Sequence, residues 1–261
     1  MAEKTRSPLK DKPLRLPGQS VQREREDLIE NAVTQPFMLA IFVVVLAALE
    51  WWRFYTGAKP NPVVYTVAAL VMVGYAGIRL CRALPKLRSL RQGLEGERAV
   101  GQFLERLREQ GFNVYHDVVG NGFNVDHVLI GPAGVFTVET KTWSKPITGR
   151  AEVIFDGEKI TIGASTPDRD PVIQAKAQAS WLRSLLVDST GKQFSVRPTI
   201  LFPGWFISNT DGSFREVWVL EPKALPAFLA NEPTRLSRED INLASFHLSR
   251  FVRSSEKLGA S

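Results

Sequence analysis

Asp126, Glu139 and Lys141 are the side chains of this sequence best placed to do chemistry together. They stand in two alternating segments, Val125 to Ile130 and Val135 to Thr142, joined by Gly131-Pro132-Ala133-Gly134, and the pattern reads as a β-hairpin. Counting outwards from a tip at Pro132 and Ala133 sets Ile130 opposite Val135, Val128 opposite Thr137 and Asp126 opposite Glu139. Directly opposed residues have Cβ atoms about 4.5 to 5.5 Å apart, where like charges repel. A positive partner is needed. Lys141 supplies one, two residues past Glu139 on the same face, while Thr140 points the other way and offers its backbone carbonyl at the same edge. Two carboxylates and a carbonyl are hard oxygen ligands suited to Mg²⁺, with Mn²⁺ as a substitute. A cation-bound water beside an ammonium group is equipment for phosphodiester hydrolysis: the ion polarises the phosphoryl oxygen and lowers the pKa of its water, and Lys141 orients that water or offsets developing charge. The competing reading is a plain Glu139–Lys141 ion pair on a solvated strand, because Glu-x-Lys alone is a weak signal.

The elements that must hold these residues follow from periodicity. Glu95 to Gln110 places Val100, Phe103, Leu104 and Leu107 at helical spacing, with Gly111 as a stop. Phe112 to Val119 alternates as a strand, and a Gly/Asn-rich loop leads into the hairpin. Short strands follow over Ile147 to Ile162 with a turn at Asp156-Gly157, and a helix over Pro171 to Leu186. Later strands fall at Val196 to Phe202 and Glu216 to Leu220, and Ser237 caps a last helix. Interleaving of this kind predicts an α/β domain, a mixed sheet flanked by helices.

Upstream the texture differs. PFMLAIFVVVLAALEWW (36–52) and VVYTVAALVMVGYAGIRLC (63–81) are near bilayer length, and a span needs about 20 apolar residues. Trp51, Trp52 and Tyr55 suit an interfacial belt, and Gly57, Pro60, Asn61 and Pro62 suit a turn between two spans. Up to residue 92 there are 14 basic and 7 acidic residues, net +7; beyond it 19 and 20, net −1. The basic flanks place both termini in the cytoplasm and face anionic lipid headgroups, so the overall charge of +6 is no argument for nucleic-acid binding. A lone cysteine, Cys81, excludes an intrachain disulfide framework and a Cys-rich zinc site. The expected organisation is a basic, disordered leader (1–35), a transmembrane helical hairpin (36–82), a basic juxtamembrane linker (83–92) and a folded domain (93–261), held at the cell inner membrane by two spans.

The folded part resembles the nuclease-related domain (NERD) family, with a restriction-endonuclease-like fold. The resemblance is carried by Gly96-Glu97, Asp126-His127-Val128-Leu129-Ile130-Gly131, Gly134-Val135-Phe136, Glu139-Thr140-Lys141-Thr142-Trp143 and Pro171-Val172-Ile173-Gln174. It implies that Glu97 assists metal or water binding, that Asp126 and Glu139 hold the metal with the Thr140 carbonyl, that Lys141 serves catalysis and that Gln174 supports the site. It also implies a membrane-anchored Mg²⁺-dependent nuclease acting on DNA, less readily RNA. Each residue has a bland alternative. Glu97 could be a favoured first-turn acid with Glu95 competing for its role, Gln174 a helix cap, His127 a packed interior histidine and Trp143 a core residue as readily as a base-stacking one. The rival function is a non-catalytic module of the same fold that binds nucleic acid or a protein at the membrane, consistent with the net −1 beyond residue 92.

Overall fold

The computed structural model describes residues 14–57, 59, 61–120, 122–145, 151–162, 170–209 and 216–258. They form two compact units, one of residues 20–94 and one in which residues up to Gln19 join residues 95–261.

The first unit is helical. Helix α1 (Gln19–Ile29) runs through a π-helical turn (Glu30–Thr34) into α2 (Gln35–Tyr55), and α3 (Pro62–Glu105) returns. Within the hairpin, Trp51 Nε1 donates to Thr66 Oγ1 at 3.2 Å and Arg79 Nη2 donates to the Asn31 carbonyl at 3.3 Å, which fixes an antiparallel pair. Ala40 and Ala47 on α2, and Ala69, Ala76 and Ala83 on α3, are buried and recur every seven residues. That repeat keeps one small-residue seam on each helix. The large apolar residues around it, Leu70 and Trp52 among them, are exposed. Both helical stretches, Gln19–Tyr55 and Pro62–Gln110, are long and apolar enough to cross a membrane.

Two expectations change here. The leader, read as disordered, is helical from Gln19: Gln22 Nε2 donates to Glu26 Oε1 one turn on at 2.7 Å, and Glu24 pairs with Lys86 of α3 at 2.7 Å; residues 1–13 lie outside the described ones. The juxtamembrane linker and the helix expected from Glu95 are not separate elements. They continue α3, with Pro85 inside it, and the helix yields only to a 3₁₀ turn (Arg106–Gln110) that ends on Gly111 at φ +84°.

The second unit is built on a mixed five-stranded sheet in the order β1 (Asn113–Val119), β2 (Asn124–Gly131), β3 (Gly134–Thr140), β6 (Val196–Leu201), β8 (Trp218–Leu220). The first three strands are antiparallel; β3, β6 and β8 are parallel. A second sheet sets β5 (Ile160–Ile162) and β7 (Phe206–Asn209) on either side of β4 (Glu152–Phe155). Residues 146–150, part of the predicted strand region, lie outside the described ones, and β7 was not foreseen because four half-exposed residues carry little pattern. One core joins Val100 and Leu104 of α3 and Leu107 of the 3₁₀ turn to Leu129 of β2, Phe136 of β3 and Leu225 of the short helix α5 (Leu225–Asn231). A second packs Val128, Ile130 and Val135 against Leu182 and Leu186 of α4 (Pro171–Thr190) and Leu248 of α6 (Arg238–Leu258). Helices therefore cover the mixed sheet as expected. Asp170 caps α4, its Oδ1 accepting from Val172 N at 2.8 Å, and Ser237 Oγ accepts from Asp240 N at 3.2 Å at the start of α6.

Candidate active site

The hairpin has the register counted from its tip: Gly131 pairs Gly134, Ile130 pairs Val135, and the ladder ends at His127 and Val138. One step beyond, Asp126 and Glu139 stand abreast. Backbone pairing gives way there to a side-chain bond, Asp126 Oδ2 accepting from the Thr140 amide at 2.7 Å. Lys141 turns back onto Glu139 as expected, Nζ to Oε1 at 2.6 Å, and also donates to Gln174 Oε1 at 3.0 Å. Gln174 Nε2 donates to the same Glu139 Oε1 at 2.7 Å. Helix α4 thus delivers Gln174 into the site, so its capping alternative falls away.

Glu97 arrives from α3 because residue 96 is glycine. A Cβ on Gly96 would lie 1.8 Å from Thr142 Cγ2, so only a glycine lets the helix pass this close to the end of β3. Glu97 is 9% exposed there. Its carboxyl is pushed up to about 8, first by burial, then by the charges of Asp117 and Glu139, with Lys141 opposing. Asp126 is raised well above the usual carboxylate range by enclosure of its carboxyl group, then by Glu139 and Glu97. Three acids share one ammonium, and burial, helped by the excess negative charge, raises the proton affinity of two of them.

Three contributors went unnoticed in the sequence. Asp117 lies between the paired positions His116–His127 and Val118–Val125, level with Asp126, so carboxylates from three neighbouring strands fall in one row. Its backbone is left-handed at φ +50°, and it is bound by Arg15, Nε to Oδ2 at 2.7 Å and Nη2 at 2.5 Å, with both side chains almost fully buried. The Asn-Gly dipeptide at 121–122 carried the signal in the sequence: counted outwards from it as from Pro132-Ala133, Asp117 falls opposite Asp126, the register that the strands have. Gln178, one turn after Gln174, was visible only as a repeat of glutamine four residues on; its Nε2 donates to Glu139 Oε2 at 2.7 Å. Nothing local pointed to Arg15, 102 residues before its partner.

His127 is fully buried on the interior side, its Nδ1 2.9 Å from His116 Nδ1, and burial holds both rings below the usual histidine range. Trp143 packs on Phe202 with ring centroids 5.0 Å apart, against a third core that joins Val153 and Phe155 to Val172 and Val219. Glu95, the rival to Glu97, is exposed on α3. Among the described residues, no group of three His, Cys, Asp or Glu side chains is placed to hold a metal ion.

No curated protein and no solved structure matches the chain. The family model that does match is the nuclease-related domain, NERD, over residues 92–203, a stretch that holds Glu97, Asp117, Asp126, Glu139, Lys141, Gln174 and Gln178 and gives the chain a nuclease-related character.

Proposed function

We propose that this chain is a membrane-anchored, Mg²⁺-dependent nuclease that hydrolyses phosphodiester bonds of DNA, and less readily RNA, at the cytoplasmic face. The observation that carries the reading is the gathering of Glu97, Asp126 and Glu139 about the single ammonium of Lys141, with Glu97 pushed up to about 8 and Asp126 also raised. A divalent cation would relieve that charge. Two neighbouring carboxylates, Asp126 and Glu139, suit Mg²⁺, which is commonly held by one or two carboxylates with water and substrate phosphate completing the shell. Asp126 and Glu139 would hold it, with the Thr140 carbonyl as a further oxygen donor and Glu97 assisting through a water of its shell. Mn²⁺, equally content with oxygen ligands, would substitute.

When bound, such an ion supplies Lewis-acid polarisation of a phosphoryl oxygen and a water of lowered pKa. The rest of the work belongs to the chain. Lys141, with a side chain 20% exposed, can present its remaining hydrogen to a phosphate oxygen or an attacking water. Gln174 fixes the Lys141–Glu139 pair from helix α4, and Glu97, protonated near neutrality, is suited to give or take a proton at its carboxyl oxygen. The antiparallel β1–β3 and parallel β3–β6–β8 arrangement supports a restriction-endonuclease-like core. Two apolar helices with basic flanks support two spans in the inner membrane, with the termini and the nuclease-related unit cytoplasmic and the flanks on anionic headgroups.

The test is plasmid cleavage by the detergent-solubilised full chain with Mg²⁺ or Mn²⁺. Cleavage is expected, and Asp126→Ala, Glu139→Ala or Lys141→Ala should each lower it by about a hundredfold or more. An inactive parent under both ions sinks the proposal. One observation favours the non-catalytic module instead: every oxygen of Glu139 already has a protein donor. Salt-dependent retention of DNA without hydrolysis would select it.

A further inference from the structure

Gln178 is 2% exposed and sits at the bottom of the site. Its Nε2 lies 2.7 Å from Glu139 Oε2 and 2.9 Å from the Asn124 carbonyl. Both neighbours are acceptors, so the amide must face them with its nitrogen; exchanging N and O would set three oxygens together without a hydrogen. Both amide hydrogens are then spent. The amide oxygen, Oε1, is buried and meets no donor among the described residues. A hydrocarbon side chain at 178 would remove that unpartnered oxygen but would also take the donor away from Glu139 Oε2 and the Asn124 carbonyl. The two oxygens of Glu139 are also unlike. Oε1 receives Lys141 and Gln174, whereas Oε2, among the described residues, receives Gln178 alone and keeps a lone pair to give.

We propose that Gln178 is a positioning residue for cation binding: its nitrogen fixes Glu139 Oε2 toward the ion, and its buried oxygen accepts a hydrogen from a water that the ion carries. This deepens the cation-dependent reading above and rests on it. Gln174 and Gln178, one helical turn apart, divide the labour: the first holds the lysine side of Glu139 and the second its ion-binding side. Outer partners of this kind commonly govern metal affinity, because a ligand carboxylate left to rotate loses its aim.

The experiment titrates the detergent-solubilised full chain with Mn²⁺ alone by calorimetry, for the parent, Gln178→Met and Gln178→Asn. Methionine keeps the volume and removes both polar functions; asparagine keeps an amide one methylene short and so preserves folding if an amide is structurally required. The expected result is a rise of about 10- to 100-fold in the Mn²⁺ dissociation constant for either folded variant. In cleavage assays the half-saturating ion concentration should rise by the same factor, with the rate at saturating ion within about threefold of the parent's. A merely structural role would lower the melting temperature of the ion-free protein and leave the dissociation constant of the folded protein where it was. Variants that bind Mn²⁺ within threefold of the parent overturn this inference while leaving the cation-dependent reading standing. A parent that takes up no Mn²⁺ overturns both.

Discussion

Removing the ionisable carboxyl at position 97 should weaken the loss of stability that the nuclease-related unit suffers as pH rises. Glu97 is raised from about 4.5 to about 8 in the folded protein, chiefly by burial. Between those values the folded protein holds a proton that the unfolded chain has released, so stability is greatest at the acidic end and is lost as pH rises through the window. At about 1.4 kcal/mol for each pH unit, ionising this one carboxyl costs the folded state up to about 5 kcal/mol by pH 8. Glu97→Gln mimics the protonated form and should remove about one proton's worth of that slope, leaving the variant more stable than the parent at pH 8 in chelator. Asp126, raised in the same direction, keeps a residual slope in both proteins. Amide hydrogen exchange over β2 and β3 from pH 5 to 8.5 reports on this unit alone. Identical pH dependence in parent and variant would refute the reasoning, since Glu97 would then ionise as freely folded as unfolded.

Three further outcomes are expected. Arg15→Ala strips the guanidinium from an Asp117 that is 2% exposed, and should cost about 3–5 kcal/mol, read as lost exchange protection in β1; a loss under 1 kcal/mol would show the pair to be dispensable. Gly96→Ala forces α3 away from Thr142, so cleavage should fall at least tenfold while a surface change such as Arg98→Ala leaves it unchanged; equal activity in the two would mean the close approach is not required. Asp170→Ala deletes the cap of α4 and should lower stability by about 1 kcal/mol in thermal unfolding, with no measurable change contradicting the capping role.

The sequence by itself determined the local parts. Alternation and a two-residue turn were enough to place Asp126 beside Glu139 and Lys141 on the same face, because strand pairing across a tight turn is a count from its centre. Apolar run length was enough for two bilayer-length helices, and Asp170-Pro171 and Ser237 marked the starts of α4 and α6. Tertiary structure decided what depends on partners remote along the chain. It alone brought Arg15 onto Asp117, aimed Gln178 at the second oxygen of Glu139, and carried one helix from Pro62 to Glu105 through a segment whose composition reads as a linker. The physical reason is that periodicity reports which face of an element is apolar, whereas a buried ion pair or an amide bond exists only where packing excludes water and supplies no other partner.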